Sequence, residues 1–443
     1  MPTEIGEGEN MKKLLTLLLV AAMAIGSLGV FASCGEETKP VVGLICLHGE
    51  NSTYDKNFID AFKTACKDAG LKSKQYKIVT DIAESNDCYD AAADLADSGC
   101  KAIFADSFGH EQYMIKAAKQ YTDVQFFHAT GTQAKQVNLA NYHNAFASIY
   151  EGRYLAGYAA GLKLNTMKDK AVDNNFKVGY VGAWTYAEVI SGYTSWYLGL
   201  KAALDDGYTA SMLVQFTGSW YDEAGEKEAA KNLIKKGCVL ISQHADSMGA
   251  PTACDTNKVG DTEVADPIPN VAYNGSTGKN TLVAYSKINW VPYFKKVVDA
   301  ALKGTAVATD YTGTINDGSV QWALGAAATD GAKAQIEAVQ AELENGTRKV
   351  FDLNTFTVTV SESENTQATV DANGKLTACL ADIDGDYVPD TNVVTDGYYN
   401  ESALRSAPYF DIRIDGIKLL NAVYGTKKDE SGKEVPDFIN FED

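Results

Sequence analysis

Basic residues are scarce in this 443-residue sequence, where 39 lysines and arginines face 58 aspartates and glutamates and the formal net charge is −19. Binding to phosphate backbones or to an anionic membrane surface needs a basic surface. The charge balance therefore argues against a nucleic-acid-binding protein and against peripheral adhesion to membranes.

Proline is also scarce, with nine residues, and no low-complexity tail or solenoid-length repeat is evident. The length suits two or three ordinary domains.

Sequence motifs typical of enzymes are missing as well. The five histidines show no HxxxH or HExxH spacing, so a catalytic metal site is not predicted. Neither the GxSxG turn of serine hydrolases nor the GxxxxGK[ST] phosphate loop occurs. His244, Asp246 and Ser247 have the side chains of a nucleophilic triad, but neighbours within one loop rarely reach triad geometry. We predict a protein that is not an enzyme and that uses no cofactor.

Cysteines are present, but no CxxC pair occurs among the eight. This argues against a zinc site and against a disulfide framework. Two of the cysteines lie in strand-like runs and one on a helix face, where cysteine acts as a small hydrophobic residue. We expect seven of the eight to be mostly free, buried thiols. They are Cys46, Cys66, Cys88, Cys100, Cys238, Cys254 and Cys379.

The N-terminal segment has the pattern of an export signal. A Met-Lys-Lys start precedes the apolar run Leu14–Val30, and the small residues of Phe-Ala-Ser-Cys then end it at Cys34. Small residues before a cysteine resemble the lipobox of bacterial lipoproteins, in which that cysteine is lipidated. A transmembrane anchor is the alternative, because the run is near the lower limit of about 17 residues for a span. We predict a signal peptide over 1–34, a tether over 35–40 and a lipid-anchored protein on the extracytoplasmic face of the bacterial cell membrane.

Hydrophobic periodicity predicts strand–helix–strand units, most clearly in the stretch 212–249. The apolar run Met212–Phe216 is followed by an N-cap at Asp222, a helical pattern that ends at Gly237, and a second apolar run, Cys238–Ser242. Strand, helix and strand with tight joints require a parallel sheet. A similar alternation precedes this unit. We therefore predict an α/β protein with two doubly wound lobes whose several hinge crossings form a clamshell.

The domain boundaries follow from these alternations. The predicted ranges are 41–150 plus about 281–312 for the first lobe, 151–280 plus about 313–350 for the second lobe, and 351–443 for a C-terminal extension packed on the second lobe. Tyr150–Leu164 is a helix rich in alanine and glycine, which allow close approach of another backbone. We expect this helix to pack at the junction of the two lobes.

Six sequence motifs, which run in the same order through most of residues 40–350, have counterparts in one known family. They are YEGRYLAGYAAG (150–161), KVGYVGAW (177–184), WYDEAGEKEAA (220–230), QHADS (243–247), YNG (273–275) and NWVPYF (289–294). The sequence resembles the basic membrane protein family of substrate-binding lipoproteins, the group typified by purine nucleoside receptors. The resemblance implies a type I periplasmic-binding fold and capture of a purine base or nucleoside for an ABC importer.

The resemblance also implies where the ligand binds. Members of the family hold the purine between two aromatic rings, and Tyr54 and Trp220 stand at those positions. A stacked ring contributes about 1–3 kcal/mol per base but does not read its identity. Trp220 and Asp246 follow predicted strands, and ligands of open α/β sheets bind beyond the carboxyl ends of strands. Polar residues of these loops are expected to recognise the edge of the base.

Two positions depart from many relatives. Asn274 stands where an aspartate often binds the ribose, and His128 stands where others carry an acidic residue, which favours a free base over a nucleoside. Trp184 follows a strand and is a further candidate. The predicted ligand-binding residues are Tyr54, Asp55, His128, Trp184, Trp220, Asp246 and Asn274.

An acidic segment near the C-terminus alternates carboxylates, as calcium loops do. The residues concerned are Asp382, Asp384, Asp386 and Asp390. An EF-hand would have glycine where Tyr387 stands and glutamate where Val393 stands, and neither is met. A solvated acidic turn is therefore favoured over a calcium site, and no metal is predicted.

Taken together, these features predict a monomeric, lipid-anchored binding protein that passes a purine to an ABC permease. A sensory receptor of the same fold is the first alternative, and genomic neighbours would distinguish it from a transport protein. An extracytoplasmic nucleoside-processing enzyme is the second. It would require clustered aspartates that bind a metal in the cleft, and release of base from inosine would reveal it.

Overall fold

The structure is a computed structural model that describes residues 39–255, 267–274, 280–429 and 431–441, together with the backbone of 258–259 and 262–263. The chain divides into two compact units, Met1–Lys39 and Pro40–Asp443. The predicted signal peptide, the lipidation site at Cys34 and the tether up to residue 38 lie outside the described residues. Within the described part, no helix is long and apolar enough to cross a membrane.

The second unit alternates strands and helices over most of its length. Its helices are α1 (Thr53–Asp68), α2 (Asn86–Asp97), α3 (Glu111–Gln120), α4 (Ala134–Val137), α5 (Ile149–Asn165), α6 (Ala187–Ala203), α7 (Glu223–Lys235), α8 (Gly249–Asp255), α9 (Val291–Lys303) and α10 (Ala332–Glu344). Its strands are β1 (Val42–Ile45), β2 (Tyr76–Val79), β3 (Ala102–Ala105), β4 (Gln125–Ala129), β5 (Tyr142–Ala147), β6 (Asn175–Gly182), β7 (Thr209–Phe216), β8 (Ile241–His244), β9 (Lys258–Val259), β10 (Thr262–Glu263), β11 (Asn270–Tyr273), β12 (Leu282–Ile288), β13 (Asp310–Gly313), β14 (Val320–Leu324), β15 (Ala368–Val370), β16 (Leu376–Ala381), β17 (Thr391–Asn392), β18 (Val394–Thr395), β19 (Tyr398–Tyr399), β20 (Ile417–Leu419), β21 (Asn421–Lys428) and β22 (Glu434–Asn440).

The first lobe is a parallel sheet of six strands in the order β13–β5–β4–β3–β1–β2. Its two faces pack against different helices, because successive side chains of a strand point to opposite faces. Leu44 belongs to the core beneath α1 and α9, whereas its neighbour Ile45 belongs to the core beneath α2 and α3. Both residues are fully buried. A doubly wound lobe results, as predicted.

The second lobe is a sheet of seven strands in the order β14–β12–β11–β8–β6–β7–β20. All of these strands are parallel except β14, which runs antiparallel to β12. The predicted α/β clamshell of two parallel-sheet lobes is thereby confirmed. Three crossings join the lobes: from β5 to α5, from β12 to α9 and from β13 to β14.

One boundary of the predicted domains is wrong. The segment 281–312 was assigned to the first lobe, but β12 pairs with β11 and β14 in the second sheet. The chain crosses to the first lobe only beyond Ile288, where α9 packs against α1. An apolar strand has the same pattern in either lobe, and only its long-range pairing decides which sheet it joins.

The helix α5 packs inside the second lobe rather than at the junction of the lobes. Its main neighbours are α6, β12 and β14. A Cβ atom at Gly157 would collide with the carbonyl oxygen of Trp196, and one at Gly199 would collide with that of Tyr154. The two helices therefore touch backbone to backbone, which only glycine permits. The small residues were interpreted correctly as allowing a close approach of another backbone, but the predicted place at the junction of the lobes is wrong.

The C-terminal extension contacts both lobes, whereas it was predicted to pack on the second alone. Its strand β20 pairs in parallel with β7 of the second sheet. On the first lobe, the backbone N–H of Ser406 donates to Asp310 at 3.1 Å. The side-chain amide of Gln133 donates to the hydroxyl of Tyr387 at 3.0 Å. The extension therefore links the two halves of the clamshell.

All seven cysteines in the described residues are free and buried. Burial raises the pKa of the Cys66 thiol to about 12 and that of the Cys100 thiol to about 11. These groups stay protonated at neutral pH, so they act as small hydrophobic side chains.

Buried glutamates make the stability of this fold depend on pH. Glu401 is 3% exposed, and burial raises the pKa of its carboxyl to about 8, although hydrogen bonds from Ser191 and the backbone of Tyr409 act in the opposite direction. In the unfolded chain this group titrates near pH 4.3. The folded state therefore binds more protons between these values, and the contribution to stability falls as the pH rises from about 4.3 to 8.

Replacing Glu401 by glutamine is expected to remove this dependence. The difference in free energy of unfolding between the variant and the wild type should be roughly 1–3 kcal/mol more favourable to the variant at pH 8 than at pH 5. The reason is that one pKa unit corresponds to about 1.4 kcal/mol. Urea unfolding at the two pH values measures the difference. Glu337→Gln, at an exposed position of α10, is the matched control. A Glu401→Gln effect that is equal at both pH values would contradict the account.

Candidate functional site

A cleft lies between the carboxyl ends of the two sheets, where open α/β folds place their ligands. From the first lobe it is lined by Leu47, Tyr54, Asp55, Ser107, Phe108 and Thr130. From the second lobe it is lined by Glu188, Trp220, His244, Asp246 and Tyr273. Four of the seven predicted ligand-binding residues are thus brought together in one cleft, two from each lobe: Tyr54, Asp55, Trp220 and Asp246.

The two lobes touch across this cleft. The backbone N–H and the hydroxyl of Thr53 both donate to the carbonyl oxygen of Asp246, at 3.1 Å each. The rings of Phe108 and Tyr186 lie 5.4 Å apart between centroids. The cavity volume is about 20 Å³, room for about one water molecule. A purine therefore needs the lobes to separate, as hinged clamshells do.

Tyr54 is held in the wall of the first lobe. It lies in the first turn of α1, where the side chain of Ser52 caps the helix. Its hydroxyl donates to the carbonyl oxygen of Asp106 at 2.8 Å, and its ring meets Phe58 edge-on at 4.9 Å. These contacts fix the ring before any ligand arrives, which lowers the entropy cost of binding.

Trp220 lies opposite, in the loop between β7 and α7. It is half-buried, and its carbonyl oxygen accepts the backbone N–H of Asp246 at 2.8 Å. Its indole lies 6.2 Å from the ring of Tyr186. The loop is short because Asp222 caps α7 at once by accepting from the N–H of Gly225. The cap therefore places this indole at the edge of the sheet, in the cleft.

The pKa values of the two predicted carboxylates are shifted in opposite directions. Asp55 accepts the backbone N–H of His48 at 2.8 Å and the hydroxyl of Ser52 at 2.5 Å. Burial raises its pKa, but these hydrogen bonds outweigh that effect and hold the pKa below its ordinary value. For Asp246, burial raises the pKa and the charge of Asp55 raises it further. A protonated Asp246 can both donate and accept a hydrogen bond, which suits the edge of a purine.

Arg153 lies behind the wall of the second lobe. Only 1% of it is exposed, it donates to the carbonyl oxygen of Gln243 at 2.9 Å, and its guanidinium lies 3.6 Å from the ring centre of Tyr273. A buried arginine needs partners, and here the cation–π contact supplies one. Its Nε and Nη2 make no hydrogen bond in the structure.

Glu188 and His244 form a coupled pair beside this arginine. Burial raises the pKa of Glu188 to about 7, although Arg153 acts in the opposite direction. Burial lowers the pKa of His244 well below its ordinary value, and the charge of Arg153 adds to this. His244 Nε2 lies 3.4 Å from Glu188 Oε1. This wall of the cleft therefore holds a neutral imidazole next to a carboxyl group that titrates near neutral pH.

The other three predicted residues do not line the cavity. The imidazole Nε2 of His128 bonds the carbonyl oxygen of Ser107 at 2.7 Å and so positions that loop. Trp184 stacks on Tyr186 at 5.8 Å with an interplanar angle of 7°. Asn274 is buried with a left-handed φ of 58°, beside residues 275–279, which the structure does not describe. Direct ligand contacts of these three residues stay predictions.

Several cleft residues were not predicted, although their positions carry a signal. Ser107 and Phe108 follow β3 within three residues, Thr130 follows β4 directly, and Glu188 lies in the first turn of α6. Every strand end of a parallel sheet reaches the same edge. The rule that ligands bind beyond strand ends is therefore sufficient to predict these residues. The candidates predicted from the sequence lie instead in loops that have a counterpart in the family. Arg153, which lies behind the cleft, was visible as the single arginine of α5.

A second, larger cavity adjoins the cleft and is called the vestibule below. Its volume is about 860 Å³. It shares Phe108, Thr130 and Glu188 with the cleft. Its remaining walls include Thr132, Tyr186 and Tyr193 of the lobes and Gln367, Asp382, Tyr387, Arg405, Asp411, Arg413, Tyr424 and Phe441 of the C-terminal extension. The extension therefore forms one side of the mouth of the cleft.

In the part of the chain that the structure describes, two groups of side chains bring potential metal ligands within 4.8 Å of one another. The first contains Cys46, Asp55 and Asp106. Burial raises the pKa of both Cys46 and Asp106 well above their ordinary values. Protonated ligands bind metal ions weakly, so this group favours protons over a cation.

The second group lies in the predicted calcium segment. It contains Asp382, Asp384 and Asp386, whereas Asp390 is not part of this group in the described structure. Asp382 already accepts the backbone N–H groups of Asp384 and Gly385. The observed hydrogen bonds are those of an acidic turn, the alternative that the sequence favours, and calcium binding at this segment is untested.

Comparisons with known proteins agree with this architecture. The family model described as "ABC transporter substrate-binding protein PnrA-like" matches residues 48–321. A purine-binding protein of Brucella abortus is 29% identical over 287 residues, which cover 65% of this chain and 74% of that protein. A putative ABC transporter glucose-binding protein of Haloferax volcanii is 30% identical over 217 residues, or 49% of this chain and 50% of its own. An ABC transporter solute-binding protein of Aeropyrum pernix superposes with a TM-score of 0.55 at 11% identity, over 73% of this chain and 94% of that chain. The chain therefore belongs to the family of PnrA-like ABC-transporter substrate-binding proteins.

Proposed function

We propose that this protein, anchored through Cys34 on the extracytoplasmic face of the membrane, binds a purine base or nucleoside in the cleft and passes it to an ABC permease as a monomer. The observation that carries the proposal is that Tyr54 and Trp220, from opposite lobes, line one cleft. The relative from Brucella abortus, described as purine-binding, adds support. The relative from Haloferax volcanii, described as glucose-binding, makes a sugar the competing ligand.

The mechanism follows from the hinge and the walls. When the lobes separate at their three crossings, the purine enters and stacks on the fixed ring of Tyr54. Closure brings Trp220 onto the other face of the base, and the carboxyl group of Asp246 hydrogen-bonds its edge. Opening of the lobes breaks the contact between Thr53 and Asp246 that joins them in the structure. The closed surface, with both lobes in register, is what the permease recognises.

A melting-shift screen tests this function. Adenine, guanine, hypoxanthine and their ribonucleosides are compared with uracil, ribose and glucose. A ligand that binds only the folded state stabilises it by RT ln(1 + [L]/Kd), about 2.7 kcal/mol at a concentration one hundred times Kd. We expect at least one purine or purine nucleoside to raise the melting temperature by several degrees. A shift with glucose and none with any purine would overturn the ligand assignment.

A further inference from the structure

Exposed aromatic side chains concentrate at the vestibule. Among the described residues, five large aromatics are exposed: Phe108, Tyr387, Tyr424, Phe438 and Phe441. Four of these line the vestibule, and only Phe438 does not. Single exposed aromatics are ordinary, whereas several around one cavity mark a binding surface. Their faces suit ring-shaped groups, on which aromatic side chains stack.

The two arginines of the vestibule are already paired with acidic residues of the protein. Arg405 donates to the carbonyl oxygen of Pro408 at 3.0 Å and lies 3.7 Å from Asp382. Arg413 forms an ion pair with Glu364. Both guanidinium groups already have acidic partners, so a phosphate group would have to displace a carboxylate to bind them. The lining therefore suits an uncharged polar group.

The vestibule is continuous with the cleft, which indicates one ligand site rather than two. Phe108, Thr130 and Glu188 belong to both cavities. The vestibule volume of about 860 Å³ lies near the upper end of the 300–1,000 Å³ typical of small-molecule sites, as an order of magnitude. A base in the cleft would point its substituent into this space.

The wall that closes the vestibule lies outside the part of the chain that the family model matches. The family model ends at residue 321, whereas the lining residues from 363 to 441 come from the C-terminal extension. Gly385, at φ 88°, brings this extension against the backbone of Thr132 in the first lobe. A larger side chain there would collide with Thr132, so the close approach depends on glycine.

We propose that the vestibule binds an uncharged, ring-containing group attached to the sugar of a purine nucleoside, so that the preferred ligand is an extended nucleoside rather than a free base. This inference rests on the proposed function. The base stacks between Tyr54 and Trp220, the sugar passes Thr130 and Glu188, and the added ring lies against Tyr387, Tyr424 and Phe441.

Calorimetric titration of the full chain with five probes tests the proposal: adenine, adenosine, 5′-O-benzoyladenosine, 5′-O-glucosyladenosine and adenosine 5′-monophosphate. At least one of the two extended nucleosides is expected to bind tenfold or more tightly than adenosine, and the one that does identifies the ring as aromatic or saccharide. The monophosphate is expected to bind no more tightly than adenosine. A monophosphate that binds tightest, or extended nucleosides that gain nothing, would overturn the proposal.

Variants show whether the gain arises in the vestibule. Tyr387→Ala and Phe441→Ala are each expected to lower affinity for the extended nucleoside by about tenfold and to leave that for adenine unchanged. Phe438→Ala, the exposed aromatic outside the vestibule, is the matched control and should change neither. If adenine binds but the extension adds nothing, this inference fails alone. If no probe binds, the proposed function fails and the inference fails with it.

Discussion

Replacing Trp220 by alanine is expected to raise the dissociation constant for a purine ligand about 10- to 100-fold, which corresponds to a stacking contribution of about 1–3 kcal/mol. The indole is the only ring that the second lobe is proposed to place on the base. Tyr186 lies directly before α6 and Tyr273 ends β11, so neither can take the position of the indole without movement of the backbone. The loss should be similar for every purine that binds, because stacking does not read the identity of the base. Titration calorimetry measures the effect.

The control for this variant is Trp322→Ala. Trp322 lies in β14, and its indole N–H donates to Gln340 of α10 at 2.6 Å, away from the cleft. This change is expected to lower the melting temperature and to leave purine affinity unchanged. The account is wrong about the stacking partner if Trp220→Ala keeps full affinity while its melting curve shows a folded protein.

The second large effect concerns the packing of α5 on α6. Gly157→Ala is expected to lower the free energy of unfolding by about 2 kcal/mol or more, in the upper part of the range for overpacked sites. In an unhindered helix the same change stabilises by roughly 1 kcal/mol, so the expected effect has the opposite sign. The added methyl group meets the carbonyl oxygen of Trp196, and a backbone atom cannot turn aside as a flexible side chain can.

Urea unfolding of Gly157→Ala and of a matched glycine variant measures this difference. Gly425 in β21 has no atom within 4 Å of the position that a Cβ would take, so Gly425→Ala is expected to be neutral within about 0.5 kcal/mol. A Gly157→Ala variant as stable as the wild type would show that the two helices do not touch as described.

Local patterns were enough to predict the lobes and the place of Trp220 at a strand end, whereas the pairing of Trp220 with Tyr54 came from the family resemblance. The strand β7, the N-cap Asp222 and the helix α7 follow one another within the single stretch Thr209–Lys235, so the place of Trp220 at a strand end followed from sequence alone. Tyr54 lies equally close to the cap of α1. Short-range signals of this kind do not depend on contacts with distant parts of the chain.

Long-range features were not predictable in the same way. The strand β12 carries no mark that separates one sheet from the other, and the extension has short strands whose partners lie far away in sequence. Both the pairing of β20 with β7 and the contact of Tyr387 with Gln133 join residues about 200 or more positions apart. The vestibule could not be expected, because its walls come from three such distant segments.

His128 shows why a site residue can be identified by position and still act indirectly. It follows the rule for strand ends, but its side chain is fully buried and bonds the backbone of Ser107 instead of facing the cavity. The sequence predicts where the strand ends, but it does not predict where the side chain points. That direction depends on packing against the neighbouring loop.

A crystal structure of the full chain grown with the purine that gives the largest melting shift tests the central claim most directly. The account predicts the base between the rings of Tyr54 and Trp220, with Asp246 hydrogen-bonded to its edge and both lobes in contact with it. A purine bound elsewhere, with the indole of Trp220 turned away from it, would contradict the account.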